Sequence, residues 1–338
     1  MTTTPWVRVV VVTMTEGPLL GRCLGALLAQ TDPAFEVVVV ANGADPAILD
    51  PVLPDDPRVH VLRLPTNIGY SAANNVGANH ETGRPPPAFI ATLNPDAFPD
   101  PDWLVALKTA VRRHSEASAF ASLQVLDRAP ALCDGLGDEM APVCLVWRGG
   151  IRHPVPPRDR LVEGPCFSAC AAAALYRRAA WDTVGGFDGA FFCYLDDVDL
   201  CFRLRLRGGS VVFVPGARVH HVGSATNGED SDFIRFHTAR NRLWLYVKAM
   251  PGPLFWGMLP AFVATGLLLL ARGMARGRGR IEVRGLVAGL AGLPRVWRQR
   301  RAVQRARTAP WWRLAAAMTW DPRRFLARAP RRDRIRPP

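Results

Sequence analysis

The fold is decided by two runs of β-branched residues, VRVVVVT at positions 7–13 and EVVVV at positions 36–40. Each run has the length of a strand, and residues 19–29 between them have the pattern of a helix. The order strand, helix, strand predicts two parallel neighbours in one sheet, so we expect an α/β doubly wound fold with ligands at the carboxyl ends of its strands. The alternation of strand, helix and strand continues at residues 59–64, 71–80 and 89–93.

Beyond the fourth strand the pattern becomes less regular. Residues 102–113 are predicted to be a helix, whereas residues 120–157 are rich in Gly and Pro and are predicted to be irregular, with regular structure resuming at 167–177. Residues 197–207 are predicted to form a helix, because acids occupy the first turn, arginines the last, and two glycines follow. Residues 211–214 are a further predicted strand.

The positive charge of the chain is concentrated at its C-terminal end. All 338 residues together carry +13, but the segment from Arg272 onward holds 19 Arg against three acidic residues and carries +16. The residues before it sum to about −3, so the basic character belongs to the tail alone. Seven cysteines without paired CxxC spacings indicate reduced thiols in the cytoplasm rather than a structural zinc site.

An uncharged segment precedes this basic tail. No charged residue lies between Lys248 and Arg272, and residues 250–271 are long enough to cross a bilayer, although three prolines disfavour a straight spanning helix. We expect an interfacial or re-entrant helix, followed by an amphipathic stretch at residues 281–293 that lies on an anionic membrane surface. Nucleic acid is the alternative partner, but the tail lacks a recognisable nucleic-acid-binding module.

The first candidate for a functional site is Asp96, in Leu93-Asn94-Pro95-Asp96 directly after the fourth strand. Hard cations such as Mg²⁺ and Mn²⁺ prefer carboxylate oxygens, and such a cation neutralises the charge of a departing diphosphate. Asp96 is therefore a candidate metal ligand at the ligand-binding edge of the sheet. The alternative is structural, because Asn-Pro-Asp readily makes a turn.

A cluster of three acids, Asp196, Asp197 and Asp199, begins the helix predicted at 197–207. Their mutual repulsion is offset only partly by the helix dipole, by up to about 1 kcal/mol. Such crowding favours a catalytic base, which contributes roughly 10² to 10⁴ in rate. Ordinary N-capping is the alternative, and it explains one Asp well and three poorly.

Two pairs of basic residues complete the candidates. His220 and His221 follow the predicted strand at 211–214, and because neighbouring residues on a strand point to opposite faces, at most one of them is a metal ligand. Arg240 and Arg242 carry guanidinium groups that suit the oxygens of a diphosphate. A solvated basic cluster is the alternative for the arginines.

Taken in order, these motifs resemble glycosyltransferase family 2, the inverting transferases of the GT-A fold, and within it the bacterial rhamnosyltransferase-like branch. The resemblance covers residues 7–248 and is specific because of the order and spacing of its motifs. The matching segments are residues 9–13, 37–43, Asn67-Ile68-Gly69, Asn75-Val76-Gly77, Leu93-Asn94-Pro95-Asp96, Gly185-Gly186-Phe187-Asp188, residues 191–200, His221 and Arg240-Asn241-Arg242.

The resemblance implies roles for individual residues. Asp96 matches the metal-binding acid of the family's DxD-like signature, and His221 matches its late metal-ligand histidine. Asp197 matches the catalytic base, with Asp196 beside it where Glu is commoner. The residues implied to bind the nucleotide sugar are Thr13, Glu16, Asn42, Asn67, Gly69, Asn75, Asn94, Asp96, Arg240 and Arg242.

The resemblance also implies an activity. It implies metal-dependent, inverting hexosyl transfer with Mn or Mg, from dTDP-rhamnose or alternatively from UDP-galactose or GDP-mannose, to a cell-envelope polysaccharide or lipid-linked glycan. The family usually has Asp where this chain has Ala41, so base selectivity is open, and a catalytically silent nucleotide-sugar-binding or membrane scaffold protein is the alternative function.

The expected organisation is a GT-A domain at residues 1–245 followed by a basic, helical, membrane-associated tail at residues 246–338. The apolar run at the start is short and contains Arg8, so it does not read as a secretory signal. We therefore expect the protein at the cytoplasmic face of the cell membrane, attached peripherally or as a monotopic protein.

Overall fold

A computed structural model describes residues 6–223, 231–328 and 334–335. The strands are β1 (Val7–Thr13), β2 (Phe35–Asn42), β3 (Val59–Leu64), β4 (Phe89–Leu93), β5 (Ala97–Pro99), β6 (Ala117–Leu126), β7 (Ala129–Gly135), β8 (Asp138–Met140), β9 (Val146–Arg148), β10 (Gly164–Pro165), β11 (Ala173–Arg177) and β12 (Ser210–His221). The α-helices are α1 (Gly17–Leu28), α2 (Pro46–Leu49), α3 (Tyr70–Ala78), α4 (Trp103–Arg113), α5 (Arg178–Val184), α6 (Asp196–Leu206), α7 (Asp232–Ala249), α8 (Gly252–Ala275), α9 (Gly279–Ala291), α10 (Leu293–Arg305), α11 (Trp311–Ala317) and α12 (Pro322–Ala327).

The main sheet is mixed rather than wholly parallel. Its strand order is β10-β12-β6-β11-β4-β1-β2-β3, with β5 pairing with β12 and β7 pairing with β6. The four strands β3, β2, β1 and β4 are parallel, as the alternating pattern predicts. β11 then lies antiparallel between β4 and β6, while β6 and β12 are again parallel to each other.

The prediction that residues 120–157 are irregular was wrong. The segment contains most of β6 and the whole of β7, β8 and β9. Small residues such as Ala119 and Ala121 weaken the apolar pattern of β6, which is held instead by pairing with β11 and β12. β12 likewise continues to His221 because a register shift between Val214 and Arg218 accommodates the intervening Pro and Gly.

The sheet is buried on both faces, which explains the unbroken apolar runs in β1 and β2. Val9 and Val11 of β1 belong to the core beneath α1 and α4, whereas Val10 and Val12 belong to the opposite core beneath α3, α5 and α6. Adjacent side chains of a strand point to opposite faces, so one run of valines supplies both cores. This packing fixes the carboxyl ends of β1, β2 and β4 at one edge of the sheet.

The C-terminal helices pack on the α/β domain through a third core. Leu245 and Tyr246 of α7 contact a cluster that also holds Phe202 of α6 and Leu254 of α8. α7 runs across residue 245, and the domain division predicted there stays a prediction. Within the described ranges, α8 is the one helix long and apolar enough to cross a membrane by length and composition, and it is continuous despite Pro260 inside it.

Candidate active site

A cavity of ≈ 630 Å³ opens at the carboxyl ends of the strands. The loops after β1, β2 and β4 form one side, and the start of α6 forms the other. It contains eight of the residues predicted to form the site, namely Glu16, Asn42, Asn67, Asn94, Asp96, Asp196, Asp197 and His221.

The side that follows β1 and β2 is a network of amides and one carboxylate. Glu16 Oε2 accepts hydrogen bonds from the backbone amide of Met14 at 2.7 Å and from Thr13 Oγ1 at 3.0 Å. Asn42 Nδ2 donates to Asn67 Oδ1 at 2.9 Å. Thr13 is itself buried beneath this network and does not line the cavity. Rigid polar groups therefore line the part of the cavity nearest β1 and β2.

The metal edge, defined as Asp96, His221 and Asp134, lies where β4 and β12 end. Asp96 Oδ1 is 3.3 Å from His221 Nε2, and Asp134 Oδ2 is 2.7 Å from His221 Nδ1. Asn94 Nδ2 also lies 3.4 Å from His221 Nε2. His220 points to the other face of β12, towards Asp100 at 3.3 Å, so the expectation that the two histidines diverge is confirmed.

The carboxylates of the metal edge are held in their ionised form. Burial alone would raise the pKa of Asp96, but the hydrogen bond and charge of His221 lower it. Burial likewise opposes ionisation of Asp134, yet the Arg148 guanidinium, which forms an ion pair with it, and His221 hold its pKa well below the usual range. The two carboxylates raise the pKa of His221 to about 9 against the effect of burial. The metal edge thus holds two ionised carboxylates, one beside each nitrogen of the His221 ring.

The donor set of the metal edge fits a divalent cation that shares its coordination with a substrate. In the parts of the chain that the structure describes, no three or more His, Cys, Asp or Glu side chains converge as a complete metal cluster. Asp96 and His221 offer two ligands, and Mg²⁺-type sites commonly combine one or two carboxylates with substrate phosphates. A carboxylate on the second ring nitrogen, here Asp134, is the arrangement that orients metal-binding histidines.

The acid edge, defined as Asp196, Asp197 and Asp138, faces the cavity from the start of α6 and from β8. Asp196 Oδ2 accepts a hydrogen bond from Ser71 Oγ at 2.8 Å, and Asp197 Oδ2 accepts one from the amide of Ala171 at 3.0 Å. Burial, together with the charge of Asp197, raises the pKa of Asp196 to about 7. Burial also raises the pKa of Asp197, although the Ala171 amide opposes the shift.

The third crowded acid, Asp199, has a structural role. It pairs with Arg203 at 2.8 Å and with Lys248 at 2.6 Å, and it does not line the cavity. Of the three clustered acids, two therefore face the cavity, and the third links α6 to α7 through an ion pair.

Asp138, Arg148 and Asp134 are site residues that the sequence prediction missed. Asp138 is buried, accepts a hydrogen bond from Ser168 Oγ at 2.9 Å, and has a pKa raised to about 7 by burial and by the charge of Asp197. Arg148 lies between the two edges, because it pairs with Asp134 and its charge also acts on Asp138. All three lie on β7, β8 or β9, within the segment predicted to be irregular. These three strands show no alternation of apolar and polar residues that would have indicated them in the sequence.

Arg240 and Arg242, predicted to bind the diphosphate, do not line the cavity. The Arg240 guanidinium donates to the backbone oxygen of Phe191 at 2.6 Å, and Arg242 donates to that of Val143 at 2.8 Å. Asn241 between them has its Nδ2 within 3.0 Å of the carbonyl oxygens of Phe191, Cys193 and Tyr194.

The backbone that Arg240 and Asn241 hold is strained. Phe192, Tyr194 and Leu195 have φ of 67°, 63° and 61°, and non-glycine residues in this region cost on the order of 1–3 kcal/mol each. The segment leads directly into Asp196 and Asp197. Arg240 and Asn241 therefore stabilise the loop that presents the acid edge.

Two other predicted residues contact the segment from Phe187 to Leu195 rather than the cavity. Gly69 has φ of 88°, and a Cβ there would lie 2.6 Å from the Phe192 ring, so only glycine permits the close approach. Asn75 donates to the carbonyl of Phe187 at 2.8 Å and accepts from its amide at 2.8 Å. Gly69 and Asn75 therefore hold the segment that leads to the acids at the start of α6.

The chain matches the family model described as Glycosyl transferase family 2 over residues 8–185, which is more than half of its length. The chain belongs to this family. A second model, Glycosyl transferase family group 2, matches residues 160–276.

Two relatives place this glycosyltransferase in the rhamnosyltransferase-like branch. It is 28% identical over 298 residues to N-acetylglucosaminyl-diphospho-decaprenol L-rhamnosyltransferase of Mycobacterium tuberculosis, covering 80% of this chain and 95% of that protein. It is 29% identical over 171 residues to rhamnosyltransferase WbbL of Escherichia coli K12, covering 47% and 62% respectively. The resemblance inferred from the motifs is confirmed.

The GT-A fold is also confirmed. The glycosyltransferase superposes on GalNAc-T7, solved with UDP, GalNAc and Mn²⁺, with a TM-score of 0.60 and 15% identity, covering 78% of this chain and 52% of that one. At this identity the likeness establishes the fold alone. The assignment of ligands and catalytic residues therefore depends on the geometry of the cavity.

Proposed function

We propose that this glycosyltransferase uses a divalent metal to transfer rhamnose from dTDP-rhamnose, with inversion, to a lipid-linked glycan at the cytoplasmic face of the membrane. The observation that carries the proposal is the two-edged cavity, in which Asp96 and His221 face the acids at the start of α6. UDP-galactose and GDP-mannose are the alternative donors. Both relatives are rhamnosyltransferases, which favours rhamnose as the sugar, and the N-acetylglucosaminyl-diphospho-decaprenol acceptor of the mycobacterial relative favours a polyprenyl-diphosphate-linked acceptor here.

Asp96 and His221 would hold the metal, with Asp134 fixing the His221 ring from behind. A bound Mn²⁺ or Mg²⁺ would supply positive charge to the diphosphate as it leaves. Glu16, Asn42 and Asn67 occupy the adjoining part of the cavity, where the nucleoside would lie. Asn94 contributes a further amide beside His221.

Asp197 would act as the catalytic base from the opposite edge. The acceptor hydroxyl oxygen attacks the anomeric carbon, the bond from that carbon to the diphosphate oxygen breaks, and the hydroxyl proton passes to the Asp197 carboxylate. A raised pKa suits this role, because a base accepts a proton best when its pKa lies near the working pH. Attack from the side opposite the leaving group inverts the configuration of the sugar.

Asp196 and Asp138 would support the base rather than replace it. Both have a pKa raised to about 7, so near neutral pH each holds a proton for part of the time. A neutral neighbour limits the number of negative charges beside Asp197. Arg148 supplies a fixed positive charge that acts on Asp197.

A screen of nucleotide sugars tests the proposal. Purified protein is incubated with dTDP-rhamnose, UDP-galactose or GDP-mannose, with Mn²⁺, Mg²⁺ or EDTA, in the presence of a polyprenyl-diphosphate N-acetylglucosamine acceptor. We expect release of dTDP with Mn²⁺ or Mg²⁺, little with EDTA, and a product whose anomeric configuration by NMR is inverted.

Three results would contradict parts of this proposal. Retention of configuration would exclude the single displacement, and full activity in EDTA would exclude the metal. Saturable binding of all three donors without turnover on lipid-linked acceptors would favour a catalytically silent binding protein.

A further inference from the structure

We propose that α8, α9 and α10 form a surface that docks flat on an anionic phospholipid bilayer, with α8 lying in the plane of the membrane rather than crossing it. This membrane surface is separate from the catalytic cavity, so the proposal goes beyond the proposed reaction and does not depend on it.

The exposed side of α8 is apolar along its whole length. Trp256, Val263, Leu267 and Leu268 are 66%, 49%, 62% and 68% exposed, and no charged residue occurs in the helix before Arg272. Exposed apolar area of this extent on a soluble domain marks a site of association with a protein or a membrane.

The opposite side of α8 packs on α7 over its first half and on α9 near its end. Phe255 near the start accepts a hydrogen bond from Tyr246 Oη at 2.6 Å, and Phe262 at the middle stacks on the same ring at 3.9 Å between centroids. Gly273 near the end is packed closely against Glu282 of α9. These contacts span about 27 Å of helix at 1.5 Å per residue, close to the thickness of a bilayer core.

This packing is incompatible with a spanning orientation. The Arg242 guanidinium of α7 lies 4.3 Å from the centre of the Phe262 ring, so a helix that crossed the membrane would carry a buried cation to the bilayer centre. Asn241 beside it holds the loop that precedes the catalytic acids. α8 is therefore placed to lie along the membrane with the catalytic domain above it.

Charge complementarity identifies the partner as an anionic bilayer. Residues 272–305 contain ten arginines and one acid, Glu282, which is paired with Arg235 at 2.9 Å. Arg298, Arg301 and Arg305 of α10 are exposed at spacings of three and four residues, which places them on one face of the helix. Basic residues beside an exposed apolar helix match the interface of a membrane that contains anionic lipids.

A groove on this membrane surface has the composition expected for contact with a phospholipid. It has a volume of ≈ 550 Å³ and combines apolar walls with two guanidinium groups. The guanidinium groups suit a lipid phosphate, and the apolar walls suit the first carbons of its acyl chains. The lining residues are Val247, Phe255, Leu293, Pro294, Trp297, Arg298 and Arg301.

Sedimentation of the full-length protein with preformed vesicles tests the proposal. We expect binding to phosphatidylcholine vesicles that contain phosphatidylglycerol, and weaker binding to pure phosphatidylcholine. Arg298→Glu with Arg301→Glu should weaken binding to the anionic vesicles by at least about 25-fold, since each basic residue near such a surface is worth about fivefold. Arg112→Glu with Arg128→Glu, two exposed arginines of the catalytic domain, makes the same change in net charge and should have little effect.

The depth of α8 is measured with brominated lipids. Bromine attached near the glycerol should quench tryptophan fluorescence, and the variant Trp256→Phe with Trp297→Phe should lose most of the quenched component. Leu267→Glu with Leu268→Glu should weaken binding to both kinds of vesicle, and because both side chains are exposed, the thermal unfolding temperature should stay near that of the parent protein.

Several outcomes would overturn the proposal. Equal binding by the arginine pair variant and its control would remove the electrostatic contact, and quenching only by bromine near the acyl-chain ends would replace the flat orientation with a deeply inserted one. The protein could instead fail to bind vesicles, be a dimer by light scattering, and become a monomer after Leu267→Glu with Leu268→Glu. That result would assign the surface to contact with a second copy of the chain. Tight binding to DNA without binding to vesicles would assign it to nucleic acid.

Discussion

The two edges of the cavity contain the same kind of side chain in opposite electrostatic settings. At the metal edge, Asp96 and Asp134 surround His221 and have lowered pKa values. At the acid edge, Asp138 and Asp196 have pKa values raised to about 7. The comparison teaches that neighbouring groups, not residue type, divide carboxylates into those that hold charge and those that exchange protons.

The largest expected effect comes from removing the base at the acid edge. Asp197→Asn should lower kcat by roughly 10² to 10⁴, the usual contribution of general-base catalysis, because the amide cannot accept the acceptor's proton. Donor binding, measured by thermal shift with the nucleotide diphosphate, should change little. The matched control is Asp100→Asn, an aspartate at the partly exposed His220 contact outside the cavity, which should retain its activity. A normal turnover rate for Asp197→Asn would assign the base elsewhere.

The two adjacent histidines provide the next test, at the metal edge. His221→Ala should weaken Mn²⁺ binding by more than about 100-fold, because it removes a proposed ligand and not merely a supporting group. His220→Ala, one residue away on the opposite face of β12, should bind Mn²⁺ like the parent protein. Calorimetric titration with Mn²⁺ in the presence of the nucleotide diphosphate measures both. Similar losses in the two variants would contradict the division between the faces of the strand.

Asp134→Asn should have a smaller effect on the metal. Removing a carboxylate that orients a metal-bound histidine typically weakens metal binding by about 10- to 100-fold. Much of the activity of this variant should return at high Mn²⁺ concentration, because Asp96 and His221 remain. A loss of kcat that saturating Mn²⁺ does not restore would give Asp134 a direct part in the reaction.

How far the sequence predicts this site depends on how each residue reaches the cavity. Asp96 and Asn42 follow buried strands, so the position of the strand alone brings them to the edge. Asp134 reaches His221, and Asp138 reaches the cavity, because β7 pairs with β6 and β8 with β9, hairpins whose short strands show no alternation of apolar and polar residues. In the sequence, Arg148 is one arginine in a Gly-rich stretch, and nothing marks it as a site residue. In the structure, β9 places it between the two edges.

The arginines show the opposite limitation. Arg240 and Arg242 have side chains suited to phosphate, and their chemistry made them candidates, yet in the structure they donate to backbone carbonyl oxygens. The loop that Arg240 holds contains three residues with positive φ, which no sequence pattern in the loop indicates. The chemistry of these side chains therefore indicated that the positions are important, but it did not predict which groups they contact.

The smallest expected effect is on the pH dependence of stability. It tests the comparison between the two edges most directly. Asp138 has a folded pKa of about 7 against an unfolded value near about 3.9, so the folded state holds a proton that the unfolded chain releases between these values. Its contribution to stability therefore falls as pH rises through this window. Asp138→Asn removes the cost of ionising this buried carboxyl group. Its unfolding temperature should exceed that of the parent protein by a few degrees at pH 8 and by less at pH 5. In a domain this large, ~1 kcal/mol of stability corresponds to ~2–4 °C.

Asp134 should show the opposite sign, because its folded pKa lies below the unfolded value and its contribution is present above that value and lost in acid. Asp134→Asn, measured in EDTA by differential scanning fluorimetry, should unfold at a lower temperature than the parent protein at pH 8, and the difference should shrink only as the pH falls below about 4. If both variants shift in the same direction at pH 8, the two edges do not differ in the way their charges are stabilised. If the two shifts have opposite signs, replacing a carboxylate by an amide raises the unfolding temperature at the acid edge and lowers it at the metal edge. That result would distinguish carboxylates that stay ionised from carboxylates that exchange protons, without a measurement of catalysis.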